Sequence, residues 1–212
     1  MPPRNIPLWI KIPYTAFLAV LVPFYWRTYG PVNFLWFCDI ALLVTLPALW
    51  LESPLLFSMQ AVAIALPQLL WVVDFAARLA GIHLLGVAAY MFDAKIPLFV
   101  RGLSSFHGWL PFVLVWGVRR LGYDRRAALA QTLVALVLLP VCYFLTSPPP
   151  APADNPTAAV NINWVFGPGE AVIQTWMAPG SYLALQMAFW PLVIYLPTHL
   201  ALKALWGKPQ AA

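Results

Sequence analysis

Residues 33–79 read NFLWFCDIALLVTLPALWLESPLLFSMQAVAIALPQLLWVVDFAARL, and this stretch decides the fold. It holds two apolar runs, 33–51 and 55–79, which are separated only by the Glu-Ser-Pro sequence at 52–54. A helix of about 20 apolar residues is long enough to cross the hydrocarbon core of a bilayer. Proline just past a break marks a helix boundary. The pattern therefore predicts two transmembrane helices joined by a tight turn.

The whole 212-residue chain has the same character, since it is 62% hydrophobic and 9% charged. An average soluble domain has roughly 25% charged and 45–50% apolar residues. This composition excludes a soluble globular domain, a disordered chain, a secreted disulfide scaffold and a nucleic-acid-binding protein. We expect an all-α fold, with residues 1–212 forming a single domain, a polytopic transmembrane helical bundle.

Six spans are predicted, and they cover residues 8–26, 33–51, 55–79, 96–118, 127–145 and 182–205. Residues 80–95 are broken by glycines and too short to cross, so we expect a short interfacial helix between spans three and four. If residues 80–95 crossed instead, there would be seven spans and the termini would lie on opposite faces. Residues 146–180, which begin with a proline-rich stretch, are expected to form an outer loop.

The distribution of positive charge predicts the orientation, because loops rich in Lys and Arg resist translocation. With both termini in the cytoplasm, the inner side holds eight of the 12 Lys and Arg residues. These are Arg4, Lys11, Arg119, Arg120, Arg125, Arg126, Lys203 and Lys208. We expect a multi-pass protein of the bacterial inner (plasma) membrane with membrane lipids as partners. Protein partners stay open.

No cofactor and no metal ion is expected. The chain has three histidines, His83, His107 and His199. On the predicted spans, His107 lies inside span four, whereas the other two are placed near opposite faces of the membrane. A two-histidine haem site needs ligands at matched depth, which this distribution does not provide.

Three charged residues lie inside the predicted spans at one depth. At 1.5 Å per residue, Asp39, Asp74 and Arg101 each lie about 8–9 Å below the outer surface. A charge in hydrocarbon costs at least ~2.5–3.5 kcal/mol, so such residues are usually paired or functional. We expect them to form an ion pair or triad. It is either a structural clasp that sets helix register or the wall of a polar pocket open to the outer leaflet.

Two further groups complete the candidate site. His107 either bonds a neighbouring helix or transfers protons. Asn161 and Asn163 flank Ile162 in the outer loop, and an extended segment would point both amides to one side. They either belong to an ordered lid, with Glu170 nearby, or donate hydrogen bonds to a developing oxyanion.

The order of these features resembles the YwaF type of small bacterial integral membrane proteins. The resemblance rests on NFLWFCDIALL in span two, the histidine in LSSFHGWLPFVL, a following helix that ends in YFLT, and the Asn-x-Asn loop. It covers roughly residues 33–200. A distantly similar eukaryotic transmembrane protein is a cysteine-dependent phospholipid acyltransferase. By this likeness Cys38 matches the family cysteine, His107 the helix-four histidine and Asn163 the loop asparagine.

Two functional hypotheses follow. The first is a membrane-embedded lipid acyl hydrolase or acyltransferase with Cys38 as nucleophile and His107 as general base. In it Asp39 or Asp74 orients the base, Asn161 and Asn163 bind the oxyanion, and Arg101 binds a phosphate or carboxylate of the substrate. The second is a non-enzymatic binding or transport module, or a scaffold subunit of a larger membrane complex.

Overall fold

In the computed structural model, which describes residues 5–155, 157–169 and 172–207, the chain is helical. The described part contains no β-strand and only two isolated bridges, Tyr123 with Gly207 and Ser147 with Val160. Five helical segments are long and apolar enough to cross a membrane, as expected of a multi-pass membrane protein.

Eight α-helices are described in chain order. They are α1 (Leu8–Tyr29), α2 (Phe37–Leu51), α3 (Pro54–Leu79), α4 (Leu98–Ser104), α5 (Phe106–Leu121), α6 (Ala127–Leu145), α7 (Pro179–Phe189) and α8 (Leu196–Trp206). A π-helix, Trp190–Tyr195, joins α7 to α8. Short 3-10 helices cover Pro31–Leu35, Ala89–Phe92 and Ile162–Trp164.

One end of the bundle, called here the terminal end, collects both ends of the described chain. Glu52, just after α2, accepts the backbone N–H of Ile6 at 3.0 Å and the ammonium of Lys11 at 2.7 Å. The Arg120 Nε donates to the Asn5 carbonyl oxygen at 3.0 Å. These contacts bring the start of α1, the end of α2 and the end of α5 to one level.

The last helix reaches the same level. The Tyr123 backbone N–H donates to the carbonyl oxygen of Trp206 at 3.2 Å. The Asp124 N–H donates to Ser58 Oγ near the start of α3 at 3.0 Å. Residues 5 and 207 therefore lie at the same end of the bundle. The opposite end carries the long loops and is called the loop end.

The third helix is the centre of the bundle. In the most apolar 18-residue stretch of α3, 56% of the residues are buried, whereas the corresponding share in the other four long segments is 28–33%. Phe57 is fully buried and packs so closely on α5 that a Cβ at Gly117 would lie 2.3 Å from its ring. A residue without a side chain lets two helices approach this closely, as membrane helices do in the absence of a hydrophobic driving force.

The outer face of α6 is apolar and exposed. Leu129, Leu133 and Val137 recur at every fourth position and are 56–67% exposed. The opposite face of α6 buries Gln131 and Cys142. An apolar outer stripe with a polar group inside is the pattern of a helix in contact with lipid.

Three stretches differ in detail from the sequence expectations. Residues 80–95 hold only the four-residue 3-10 helix Ala89–Phe92, because Asp74 takes backbone N–H groups of this segment. The predicted span 96–118 is interrupted at Ser105, which separates α4 from α5. In the last span the chain changes to π geometry at Trp190, next to Pro191, whose missing N–H removes one α-helical bond.

Candidate functional site

The start of α2 places Cys38 and Asp39 at the loop end. Asp39 is only 4% exposed. Its Oδ2 lies 3.5 Å from Asn33 Nδ2 and 3.9 Å from Cys38 Sγ. The other oxygen, Oδ1, is buried and has no hydrogen-bond partner among the described residues. The result is a buried carboxyl group with one acceptor atom free.

His107 lies at the start of α5 with a defined ring orientation. Its Nδ1 is 2.8 Å from the carbonyl oxygen of Ser104. A carbonyl oxygen can only accept, so Nδ1 carries the proton and Nε2 is the free lone pair of the neutral imidazole. The ring stacks on Trp71, with 5.6 Å between ring centres. The interruption of the helix at Ser105 positions this imidazole.

Two tyrosines neighbour these groups. The Tyr25 hydroxyl bonds Ser104 Oγ at 2.9 Å and lies within electrostatic range of Asp39. Burial raises the pKa of Tyr90, and the nearby Tyr25 and Cys38 raise it further. We name Cys38, Asp39, Tyr25, Tyr90, Ser104, Trp71 and His107 the loop-end cluster. Cys38 and Asp39 connect to His107 in this cluster only through Tyr25, Tyr90, Ser104 and Trp71, and no hydrogen bond joins the Cys38 thiol to the imidazole.

Sequence reasoning missed four members of this cluster, namely Tyr25, Trp71, Tyr90 and Ser104. A hydroxyl group inside an apolar stretch of sequence could have marked Tyr25 and Ser104 as candidate site residues. Aromatic residues are so frequent in this chain, 15% of it, that this signal could not single them out.

The expected ion pair of Asp39, Asp74 and Arg101 is not formed. Asp74 instead accepts three backbone N–H groups of the following loop, at 2.7 Å from Leu85, 3.1 Å from Gly86 and 2.8 Å from Ala88. This carboxylate is therefore satisfied without a cation.

Arg101 also takes its partner from that loop. Its Nη1 donates to the Met91 carbonyl oxygen at 3.1 Å, while its buried Nε has no partner among the described residues. The physical reason is that the segment after α3 folds back over both side chains. Equal depth alone did not predict that path.

Asn163 fastens the loop to the start of α2. Its Oδ1 accepts the Phe37 N–H at 2.9 Å, and its Nδ2 donates to the Leu35 carbonyl oxygen at 2.8 Å. The same Nδ2 lies 3.4 Å from Cys142 Sγ. Asn163 is 2% exposed, so it positions the helix that carries Cys38.

Asn161 closes the loop upon itself. Its Nδ2 donates to the carbonyl oxygens of Gly167 and Gly169 at 2.9 and 2.6 Å, and its Oδ1 accepts the Phe166 N–H at 2.8 Å. Asn161 and Asn163 have φ of 49° and 54°, so the segment is left-handed and not extended as expected. Asparagine tolerates this conformation better than most residues. Neither amide has a free hydrogen for an oxyanion.

The two cysteines and the other possible metal ligands of the described residues form no metal site. Cys38 and Cys142 are both free thiols. Within residues 5–155, 157–169 and 172–207, no three His, Cys, Asp or Glu side chains lie together to hold a metal ion. Glu170 lies outside the described residues.

No family model, curated protein or solved structure matches this chain. The chemistry of the loop-end cluster therefore follows from its own geometry.

Proposed function

We propose that the chain crosses the bacterial inner membrane six times, with both termini in the cytoplasm. In this topology α4 and α5 form one span and α7 and α8 another. The shorter α2 is the second span, extended by the 3-10 helix Pro31–Leu35. Supporting this, contacts of Glu52 and Tyr123 place the first and last described residues, 5 and 207, at the terminal end, where Lys11 and Arg120 also lie. Positive residues favour the cytoplasmic side. Residues 80–95 then lie at the outer interface.

A fusion experiment tests this topology. A fluorescent protein after residue 207 should fold and fluoresce in cells, and a cysteine placed at exposed Asn155 should react with a membrane-impermeant maleimide from outside. Both free cysteines are first replaced by serine. Labelling at Asn155 only after the membrane is permeabilised would overturn the proposed orientation.

We propose that this protein is a membrane binding or transport module whose ligand presents a protonated amine to Asp39. The observation that carries it is the buried, unpartnered Oδ1 of Asp39. An ionisable group inside a membrane bundle is a candidate ligand or ion site by default, and here one of its two oxygens is unpaired. Tyr25 lies within electrostatic range of Asp39, and an aromatic ring near the carboxyl group favours a cation over an anion.

The substitution Asp39→Asn tests this proposal because it keeps the shape of the side chain and removes its ability to ionise. Purified wild-type protein in micelles, titrated with ethylammonium chloride at constant ionic strength, should show a saturable change in tryptophan fluorescence. The Asp39→Asn variant should not show it. Exposed Asp93→Asn is the control and should respond like the wild type. An equal response in the Asp39→Asn variant would remove the amine site.

A second candidate function, acyl transfer, is favoured by the orientation of His107. Its Nδ1 is occupied by the Ser104 carbonyl oxygen, which leaves Nε2 as the acceptor that a general base requires. Nε2 would take the thiol proton of Cys38 while the sulfur adds to a lipid ester carbonyl. The proton then goes to the departing alcohol, and water or a second alcohol releases the acyl group from the thioester. A eukaryotic phospholipid acyltransferase distantly similar to the YwaF type, which this chain resembles, uses a cysteine in the same way.

Lipid composition distinguishes the two functions. Membranes containing wild-type protein, Cys38→Ser or His107→Gln are compared by lipid mass spectrometry, with Cys142→Ser as the matched cysteine control. Acyl transfer requires that both Cys38→Ser and His107→Gln abolish lysolipid formation or acyl exchange while Cys142→Ser does not. If wild-type membranes show no acyl exchange above empty membranes, this candidate is lost and the binding function is unaffected.

A further inference from the structure

A cavity of about 240 Å³ opens between the end of α3 and the loop that follows it. Asp74, Arg78 and His83 line it, together with loop residues that include Leu84 and Leu85. Sites that enclose a whole drug-sized molecule have roughly 300–1,000 Å³. This cavity is therefore suited to one polar group of a larger molecule.

Arg78 and His83 meet in this cavity. The Nη1 of Arg78 contacts the imidazole ring of His83 and lies 3.2 Å from its Nε2. The guanidinium carbon lies 6.0 Å from the centre of the Phe92 ring, at the outer limit of a cation–π contact. In the described part of the chain, no carboxylate lies within ion-pair distance of Arg78. Asp74, one helical turn before Arg78, lies within electrostatic range of it, but no ion pair forms between them. The guanidinium N–H groups that are not bonded to His83 therefore remain for a ligand.

The one carboxylate in the cavity wall is already engaged. Both oxygens of Asp74 accept backbone N–H groups, from Leu85 and Gly86 on Oδ1 and from Ala88 on Oδ2. These bonds fold the loop into the cavity wall and partly offset the negative charge. A bound anion is consequently expected on the side formed by Arg78 and His83.

The rim of the cavity is apolar. Ile82, Leu84 and Leu85 are 57%, 54% and 55% exposed. Large exposed apolar side chains beside cationic ones are typical of a segment that lies in the membrane interface. Insertion of these side chains into the acyl region would place Arg78 and His83 at the level of the lipid headgroups.

We propose that Arg78 and His83 bind the phosphate group of a membrane phospholipid. The planar guanidinium donates two parallel N–H bonds to phosphate oxygens, and the imidazole donates a third. Inorganic phosphate has the same chemistry, so a test has to separate the two sources. This site is distinct in its residues from the one proposed at Asp39.

Three probes are titrated into the purified full-length chain in nonionic detergent at constant ionic strength. They are dihexanoyl phosphatidylglycerol, dihexanoylglycerol, which lacks phosphate, and inorganic phosphate. We expect the phospholipid to bind about tenfold or more tightly than dihexanoylglycerol, as the loss of a charge-assisted hydrogen bond implies. Phosphate that binds as tightly as the phospholipid assigns the site to the free ion, and weaker binding assigns it to lipid.

Arg78→Gln should weaken phospholipid binding about tenfold, and His83→Ala should weaken it less. Arg27→Gln is the matched control, because Arg27 is likewise in the last turn of a helix that ends at the loop end. Arg78→Lys keeps the charge but loses the planar fork, so intermediate binding is expected if Arg78→Gln does not fold. The proposal would be overturned if Arg78→Gln bound the phospholipid with wild-type affinity, or if the double variant Arg78→Lys, His83→Ala did so. Binding of dihexanoylglycerol as tight as that of the phospholipid would also overturn it.

Discussion

The side chain of Asn163 holds the backbone of Phe37, whose N–H it accepts at 2.9 Å across 126 positions of the chain. The first turn of a helix has N–H groups without helical partners, and this bond satisfies one of them. The same amide also binds the Leu35 carbonyl oxygen. One buried residue of the loop therefore determines where α2 begins, and so where Cys38 and Asp39 lie.

Replacing Asn163 should destabilise the fold. Asn163→Ala leaves the Phe37 N–H and the Leu35 carbonyl oxygen buried and without a hydrogen-bond partner. Each unpaired group lowers the free energy of unfolding by about 1–3 kcal/mol. It also places alanine at a positive φ. Asn163→Gly loses the bonds but not the backbone conformation, so it should be less destabilising. Chemical unfolding in micelles measures both. Exposed Asn155→Ala is the control, and an equally stable Asn163→Ala would contradict this role.

Asp74→Ala should release the loop that follows α3. Three backbone N–H groups lose their acceptor, and we expect faster hydrogen exchange at Leu85, Gly86 and Ala88. Mass-spectrometric exchange over residues 80–93 measures this. Asp93→Asn is the control in the same loop, because that exposed carboxylate accepts only the Lys95 N–H in the described contacts. Unchanged exchange in Asp74→Ala would show that the loop is held by other contacts.

Stability should fall in acid through Glu52. The hydrogen bond from Lys11 lowers the pKa of Glu52 below its usual 4.5, burial opposes this, and the Ile6 N–H adds to the lowering. A carboxyl group with a lowered folded pKa stabilises the protein above its unfolded pKa, and this stability is lost as the pH falls through the folded value. Tm in micelles should therefore drop below about pH 4.5.

Glu52→Gln removes this dependence. At neutral pH the variant should lose about 0.5–1 kcal/mol, and its Tm should fall less in acid than that of the wild type. Exposed Asp154→Asn is the control and should keep the wild-type profile. If the Tm of the wild type and that of Glu52→Gln changed with pH in parallel, the ion pair of Lys11 and Glu52 would be ruled out as a source of acid sensitivity.

Gly117→Ala should disturb the contact of α3 with α5. The new Cβ would lie 2.3 Å from the ring of Phe57, which is fully buried. Overpacking of this kind costs about 1–3 kcal/mol. Gly102→Ala is the matched control, since nothing lies within 4 Å of its Cβ position. It should be neutral or stabilise by up to about 1 kcal/mol. Equal Tm values for the two variants would contradict the close approach.

Helical class and segment bounds could be predicted from the sequence to a large extent. The span predicted at 127–145 coincides with α6, Ala127–Leu145. Hydropathy and span length are properties of one continuous segment, so they need no knowledge of its neighbours. The interruption at Ser105 was not predicted, because apolar residues continue on both sides of it.

The candidate site was predicted only in part. Depth along a helix follows from residue number, which is why Asp39, Asp74 and Arg101 were expected at one level near the outer surface. Rotation about the helix axis and the path of loops do not follow from residue number. Arg101 therefore binds the Met91 carbonyl oxygen and not the carboxylate expected from equal depth.

The sequence by itself determined a chain of apolar helices, because the cost of exposing apolar side chains and unpaired backbone groups is decided within each segment. Only the tertiary structure decided which donors and acceptors meet. Asp74 binds a loop 11–14 positions away and Asn163 binds residues 126–128 positions away. Buried polar groups must be paired, but many pairings satisfy this condition, and packing of the whole chain selects one.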